Sequence, residues 1–193
     1  MRVMTRMRYA LLATLCLFFG LTSQAQDITV CHTPAVEKFN LLASNKDFNR
    51  DHPAPLDYVH ETAKGKMITF STPDGKEASG FHLAPATESK KFLLVIHEWW
   101  GLNEHIKREA ENLFNDLGDV HVLALDMYDG KLATNADEAG KLMQGMDAER
   151  GKSIVLGALE LAGSDAIVGT IGWCFGGGWS LESTLIAANQ AAA

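Results

Sequence analysis

A cysteine stands at the centre of Gly172-Trp173-Cys174-Phe175-Gly176. An apolar run at residues 166–171 precedes it, and a segment at residues 179–188 that reads as a helix follows it. A strand, a sharp glycine-flanked turn with a nucleophilic side chain at its apex, and a helix together make a nucleophile elbow, G-x-S-x-G with sulfur in place of oxygen. Glycines flank the nucleophile because the turn is strained and its neighbours leave no room for a Cβ. A thiol near its ordinary pKa of about 8.5 is only a few per cent thiolate at neutral pH, so it needs a base or a favourable field. The start of a helix supplies such a field, because its free N–H groups favour negative charge.

A second constellation follows the apolar run Phe92-Leu93-Leu94-Val95-Ile96: His97-Glu98-Trp99-Trp100-Gly101-Leu102-Asn103. Glu98 falls at the C-terminal edge of a strand, where open parallel sheets bind ligands. His97-Glu98 opens like a zinc-protease motif, but the position that needs a second histidine holds Gly101, so no metal is expected there. His97 is expected to make a structural hydrogen bond, and His82 and His121, on strands, to pack or face solvent. The run Gly176-Gly177-Gly178 has neither the dinucleotide nor the P-loop spacing.

These residues need positioning elements. Strands are expected at residues 66–72 and 78–83, joined by the turn Pro73-Asp74-Gly75, in which proline presets φ and glycine supplies a positive one. Further strands are expected at 91–97, 120–125 and 166–171. Helices are expected at 104–117, capped by Asn103 and ended by Gly118, and at 136–146 and 149–161. A hairpin followed by alternating strand and helix is an α/β pattern with a mostly parallel sheet flanked by helices.

Arg2, Arg6 and Arg8, then a short apolar core over residues 9–21 and the small residues of Ser23-Gln24-Ala25, read as a secretory signal over residues 1–25. The expected location is periplasmic or secreted, with no membrane attachment after cleavage. Residues 26–65 read as an irregular N-terminal extension, and 66–193 as the folded domain. The chain's formal net charge is −7, and the signal carries three positive charges and no negative one, which leaves −10 on the remainder. Nucleic acid is excluded as a partner on that balance. Two cysteines remain after the signal, Cys31 and Cys174. An oxidising compartment suggests a disulfide, but the elbow favours a free Cys174.

Three motifs in order, His97-Glu98-Trp99-Trp100-Gly101-Leu102-Asn103, Leu125-Asp126-Met127-Tyr128 and Ile171-Gly172-Trp173-Cys174-Phe175-Gly176-Gly177, resemble those of the dienelactone hydrolase family. The resemblance covers roughly residues 66–188. It implies an α/β-hydrolase fold and hydrolysis of a small-molecule carboxylic ester or lactone through a thioester acyl-enzyme, without metal or cofactor. It makes Cys174 the nucleophile and Glu98 the carboxylate that helps to activate it. The backbone N–H groups of Trp99 and Phe175 become the oxyanion hole, and Trp100 and Tyr128 are expected to bind substrate. The arginine with which the family holds a substrate carboxylate is not evident after Asp126-Met127-Tyr128, and Lys131 is expected to bind the anion there as a point charge.

That resemblance also calls for a general-base histidine and its aspartate beyond the elbow, whereas all seven histidines of this sequence precede Cys174 and the one acid after it is Glu182. The expectation is a C-terminally shortened fold lacking its last strands and helices, with residues 166–171 left as an apolar open edge prone to self-association. The alternative reading is an inactive fragment or non-catalytic binding remnant of such a hydrolase.

Overall fold

The computed structural model describes residues 44–62 and 64–192. The signal segment and Cys31 lie outside the described residues. A short helix α1 (Lys46–Asp51) is capped by the Asn45 side chain, which accepts from the N–H groups of Asp47 and Phe48. The hairpin β1 (Gly65–Ser71) and β2 (Glu77–Leu83) follows, closed by Gly75 at φ 78°. Next come β3 (Lys91–Ile96), α2 (Glu104–Leu117), β4 (His121–Leu125), α3 (Ala136–Gln144), α4 (Ala148–Ala162), β5 (Ile167–Gly172) and α5 (Phe175–Ala187). The helix starts are set by side chains. Asn103 accepts from Ile106 N–H at α2, Asn135 from Glu138 at α3 and Asp147 from Glu149 at α4.

The five strands form one sheet in the order β1-β2-β4-β3-β5. Hairpin and β2–β4 pairs are antiparallel, and β3–β4 and β3–β5 are parallel. Four strands therefore share one direction and β2 alone is reversed, so the sheet is mixed in its pairings and mostly parallel in its strand directions.

The period of two decides which residues go to which layer. Leu94 and Ile96 of β3 and Leu123 and Leu125 of β4 face a core made with Ile154, Val155 and Ala158 of α4 and Phe175 and Trp179 of α5. Val95, Val122 and Ala124, between them, face the opposite layer with Ile106 and Ala110 of α2. Helices thus cover both faces. Among the described residues β5 is an edge strand, and its outer side is met only at Val168, which pairs with Ala191 and accepts from Ala192 N–H at 2.8 Å.

Candidate active site

Register places the chemistry at one end of the sheet. Ile96 pairs with Leu125 on one side and with Gly172 on the other. The segments that leave β3, β4 and β5 at that end therefore carry Glu98–Trp99, Asp126–Tyr128 and Cys174, side by side.

Cys174 has φ 54° and ψ −119°, a backbone state that L side chains rarely adopt. Both neighbouring glycines are required. A Cβ on Gly172 would lie 2.2 Å from the Gly176 carbonyl oxygen, and one on Gly176 would lie 2.2 Å from the Ile96 oxygen and 2.5 Å from that of His97. The turn is therefore wedged against the end of β3, and Cys174 sits at the first residue before α5 with no side-chain cap between it and the helix. The N–H groups of Gly176, Gly177 and Gly178 close onto the Trp173 and Cys174 carbonyls, so the first N–H of α5, that of Phe175, is the one left for the sulfur.

Burial pushes the Cys174 thiol above its ordinary value, and the charge of Glu98 adds to that; the nearby backbone N–H groups of Phe175 and Trp99 act the other way. Two backbone N–H groups, one from the loop after β3 and one from the start of α5, thus lie near the sulfur, on hand for an oxyanion formed beside it. Glu98 is half-buried, and burial holds its carboxyl above the usual carboxylate range against the opposing pull of His52 and His105. It shares a cavity of about 240 Å³ with His105, Ile106, Glu109 and Trp173. Cys174 is a free cysteine.

The loop after β4 is held by Asp126, whose carboxylate accepts from Tyr128 N–H at 3.1 Å and Gly130 N–H at 2.6 Å. The Tyr128 ring is buried edge-on to His97, with centroids 4.7 Å apart. Its hydroxyl is buried without a hydrogen-bond partner, and burial, then the charge on Cys174, raises its pKa. His97 is fully buried. Its Nδ1–H donates to the Glu98 carbonyl at 2.6 Å and its Nε2 accepts from Met127 N–H at 3.1 Å. With both nitrogens used in the neutral ring, His97 ties the loop after β3 to that after β4, the structural role expected of it.

The structure therefore brings together Cys174, Glu98, the N–H groups of Trp99 and Phe175, and Tyr128. Two expected site residues lie elsewhere. Trp100 is packed in the core against Trp99, with ring centroids 5.1 Å apart, so it backs the site rather than facing solvent. Lys131 is exposed and lines a separate cavity of about 310 Å³ with Tyr128, Asp129 and Arg150.

Sequence reasoning missed the extension's part in the site. Phe48 of α1 packs edge-on to Trp99, with centroids 5.4 Å apart, and stacks on His52 at 3.9 Å. The one available signal was Asn45 two residues before Asp47, a helix-cap spacing inside a polar run.

Residues 78–193 match the family model described as the Dienelactone hydrolase family. Protein usf of Aquifex pyrophilus is 33% identical over 129 residues, covering 61% of this chain and 54% of that protein. Among solved structures, m3DLH superposes with a TM-score of 0.53 at 27% identity, over 63% of this chain and 53% of that one. A dienelactone hydrolase-like promiscuous phosphotriesterase from metagenomic libraries gives a TM-score of 0.50 at 26% identity, over 63% of this chain and 54% of that one. The chain spans about half the length of these relatives. The strained cysteine before α5 and the Trp99 loop packed against it fall inside the matched stretch, and the chain belongs to the dienelactone hydrolase family.

Proposed function

We propose that Cys174 is the nucleophile of a hydrolase acting on small carboxylic esters or lactones through a thioester. The observation that carries this reading is a cysteine held in a strained, glycine-flanked turn directly before α5, with the Phe175 and Trp99 N–H groups near its sulfur. Family membership supports the reaction class. Glu98 takes the thiol proton. The sulfur then bonds to the carbonyl carbon, and the C=O electron pair moves to oxygen, where the two N–H groups hold it. Collapse expels the alcohol oxygen, which takes up a proton, and leaves the thioester. Water then adds to the thioester carbonyl, and the carboxylic acid departs as the thiol is restored. Losing one oxyanion donor typically costs about 3 kcal/mol of transition-state stabilisation. The unpartnered Tyr128 hydroxyl offers a hydrogen bond to bound substrate.

In this reading residues 1–25 direct export, and the open side of β5 pairs with a second copy at high concentration. Incubation with p-nitrophenyl acetate followed by intact-mass and peptide mass spectrometry tests the central claim. An acetyl group on Cys174, absent in Cys174→Ala, is the expected result. An unmodified Cys174 with unaltered ester turnover in Cys174→Ala would overturn it.

A further inference from the structure

Residues 54–62 run beside α2 and bind it at several points. The His60 N–H donates to Glu104, its ring meets Glu111 at 2.8 Å, and the Arg108 guanidinium lies 5.0 Å over the Tyr58 ring. The contact nearest the candidate site is different in kind. His105, in the first turn of α2, donates its Nε2–H to the Leu56 carbonyl at 2.8 Å, and the Tyr58 ring packs on it with centroids 5.1 Å apart. A backbone carbonyl that accepts from one ring nitrogen fixes the tautomer and orientation of a histidine. In the neutral ring Nδ1 is then the proton acceptor. This same imidazole lines the cavity that Glu98 and Trp173 line, beside the elbow.

We infer that His105, oriented by the Leu56 carbonyl of the N-terminal extension, is a positioning residue that keeps Glu98 ionised and so sets the pH range over which Cys174 reacts. The inference rests on the nucleophile reading of Cys174 for its consequence, but not for its cause. Glu98 lies half-buried, where an isolated carboxylate favours its neutral form. A protonated imidazole in the same cavity opposes that preference, and a neutral one leaves it.

The other charged and titratable groups around this cluster are His52, Asp57 and Tyr58 of the extension, Glu104, Arg108 and Glu109 of α2, and Cys174. Arg108 is committed to Glu109, and Glu104 to Lys107 and His60. That leaves His52, whose pull on Glu98 ranks ahead of that of His105, at the end of α1, where its Nδ1–H donates to the Phe48 carbonyl at 2.6 Å; it does not line the cavity that Glu98 and His105 share.

Two readouts test the inference on the full chain. The first follows the Glu98 carboxyl carbon by NMR during a pH titration. In His105→Gln its midpoint is expected to rise by about one pH unit, the low end of what a nearby opposite charge produces. His60→Gln, on the same strap but paired with Glu111, is expected to leave it in place. The second is the pH dependence of Cys174 acylation by p-nitrophenyl acetate, whose acid limb should move up with the Glu98 midpoint in His105→Gln. An unmoved Glu98 midpoint in His105→Gln overturns the inference, as does a rise in His52→Gln alone. Absence of acylation in every variant, with the Glu98 midpoint shifted as expected, would sink the nucleophile reading and leave the role of His105 on Glu98 standing.

Discussion

A Cβ on Gly176 would sit 2.2 Å from the carbonyl oxygen of Ile96. The start of α5 and the end of β3 therefore touch backbone to backbone, and this contact brings the N–H of Phe175 and the N–H of Trp99 to one sulfur. Gly176→Ala is expected to destabilise the fold by about 3 kcal/mol, the upper end of what overpacking costs, and to slow Cys174 alkylation by iodoacetamide. Gly177→Ala is the matched control. Its nearest neighbour is the Gly172 oxygen at 3.5 Å, and inside a helix alanine is favoured over glycine by up to about 1 kcal/mol. Urea midpoints of the two variants should fall on opposite sides of the wild type.

Cys174 holds φ 54° without being glycine, and a residue so placed carries about 1–3 kcal/mol of backbone strain. Cys174→Gly removes that strain and Cys174→Ala retains it. Cys174→Gly should unfold at a higher urea concentration than Cys174→Ala, by about 1 kcal/mol, and both should lack ester turnover. Equal stability of the two variants would show that the turn is unstrained.

Much of this arrangement was legible in the residues, and the departures have physical causes. The expected helix at 104–117 is the observed Glu104–Leu117, because the Asn103 cap and Gly118 mark both ends. The helix after the elbow was expected from residue 179 but begins at Phe175. Gly176, Gly177 and Gly178 disfavour a helix by propensity, and packing against β3 overrides them. The expected irregular extension contains α1, six residues long. A helix that short does not stand alone, and Phe48 on Trp99 supplies a tertiary contact that no local pattern announces. The pairing of Val168 in β5 with Ala191 is likewise a tertiary contact that no local pattern announces.

Arg150 shows a charge that pattern reasoning passed over, since a single arginine in α4 reads as solvent-facing. Its side chain is 9% exposed, and it donates to both Asp129 oxygens, to Thr72 and Asp74, and to the Glu77 carbonyl at 2.6 Å. It ties α4 to the β1–β2 turn and to the loop after β4 that carries Tyr128. Arg150→Met is expected to cost about 3 kcal/mol, the low end for breaking a buried pair, because half-exposed Asp129 can return to water. Arg150→Lys should recover less than half of that, since an ammonium cannot reproduce the fork. Urea unfolding of the two variants checks both; a full rescue by lysine would reduce the site to simple charge.

His97 makes the stability of the fold depend on pH, and the sign can be worked out. Burial pushes its pKa down to about 4, against an ordinary 6.5. As pH falls the unfolded chain takes up this proton first. The stabilisation is therefore complete above about pH 6.5 and is lost progressively as pH falls toward 4. The loss from this residue is about 3 kcal/mol. His97→Gln keeps an acceptor for Met127 N–H and does not titrate. It is expected to be less stable than wild type at pH 7.5, because the packing against Tyr128 is lost, yet to show a shallower decline between pH 6.5 and 4.5. His82, on β2, is also pushed down to about 4 by burial first and by His121 second, so the variant's slope is reduced rather than abolished. Denaturation midpoints measured at several pH values in that window distinguish the cases. Parallel curves for wild type and His97→Gln would mean that the His97 ring takes up its proton alike in the folded and unfolded chain, and would overturn the assignment of the pH dependence to its burial.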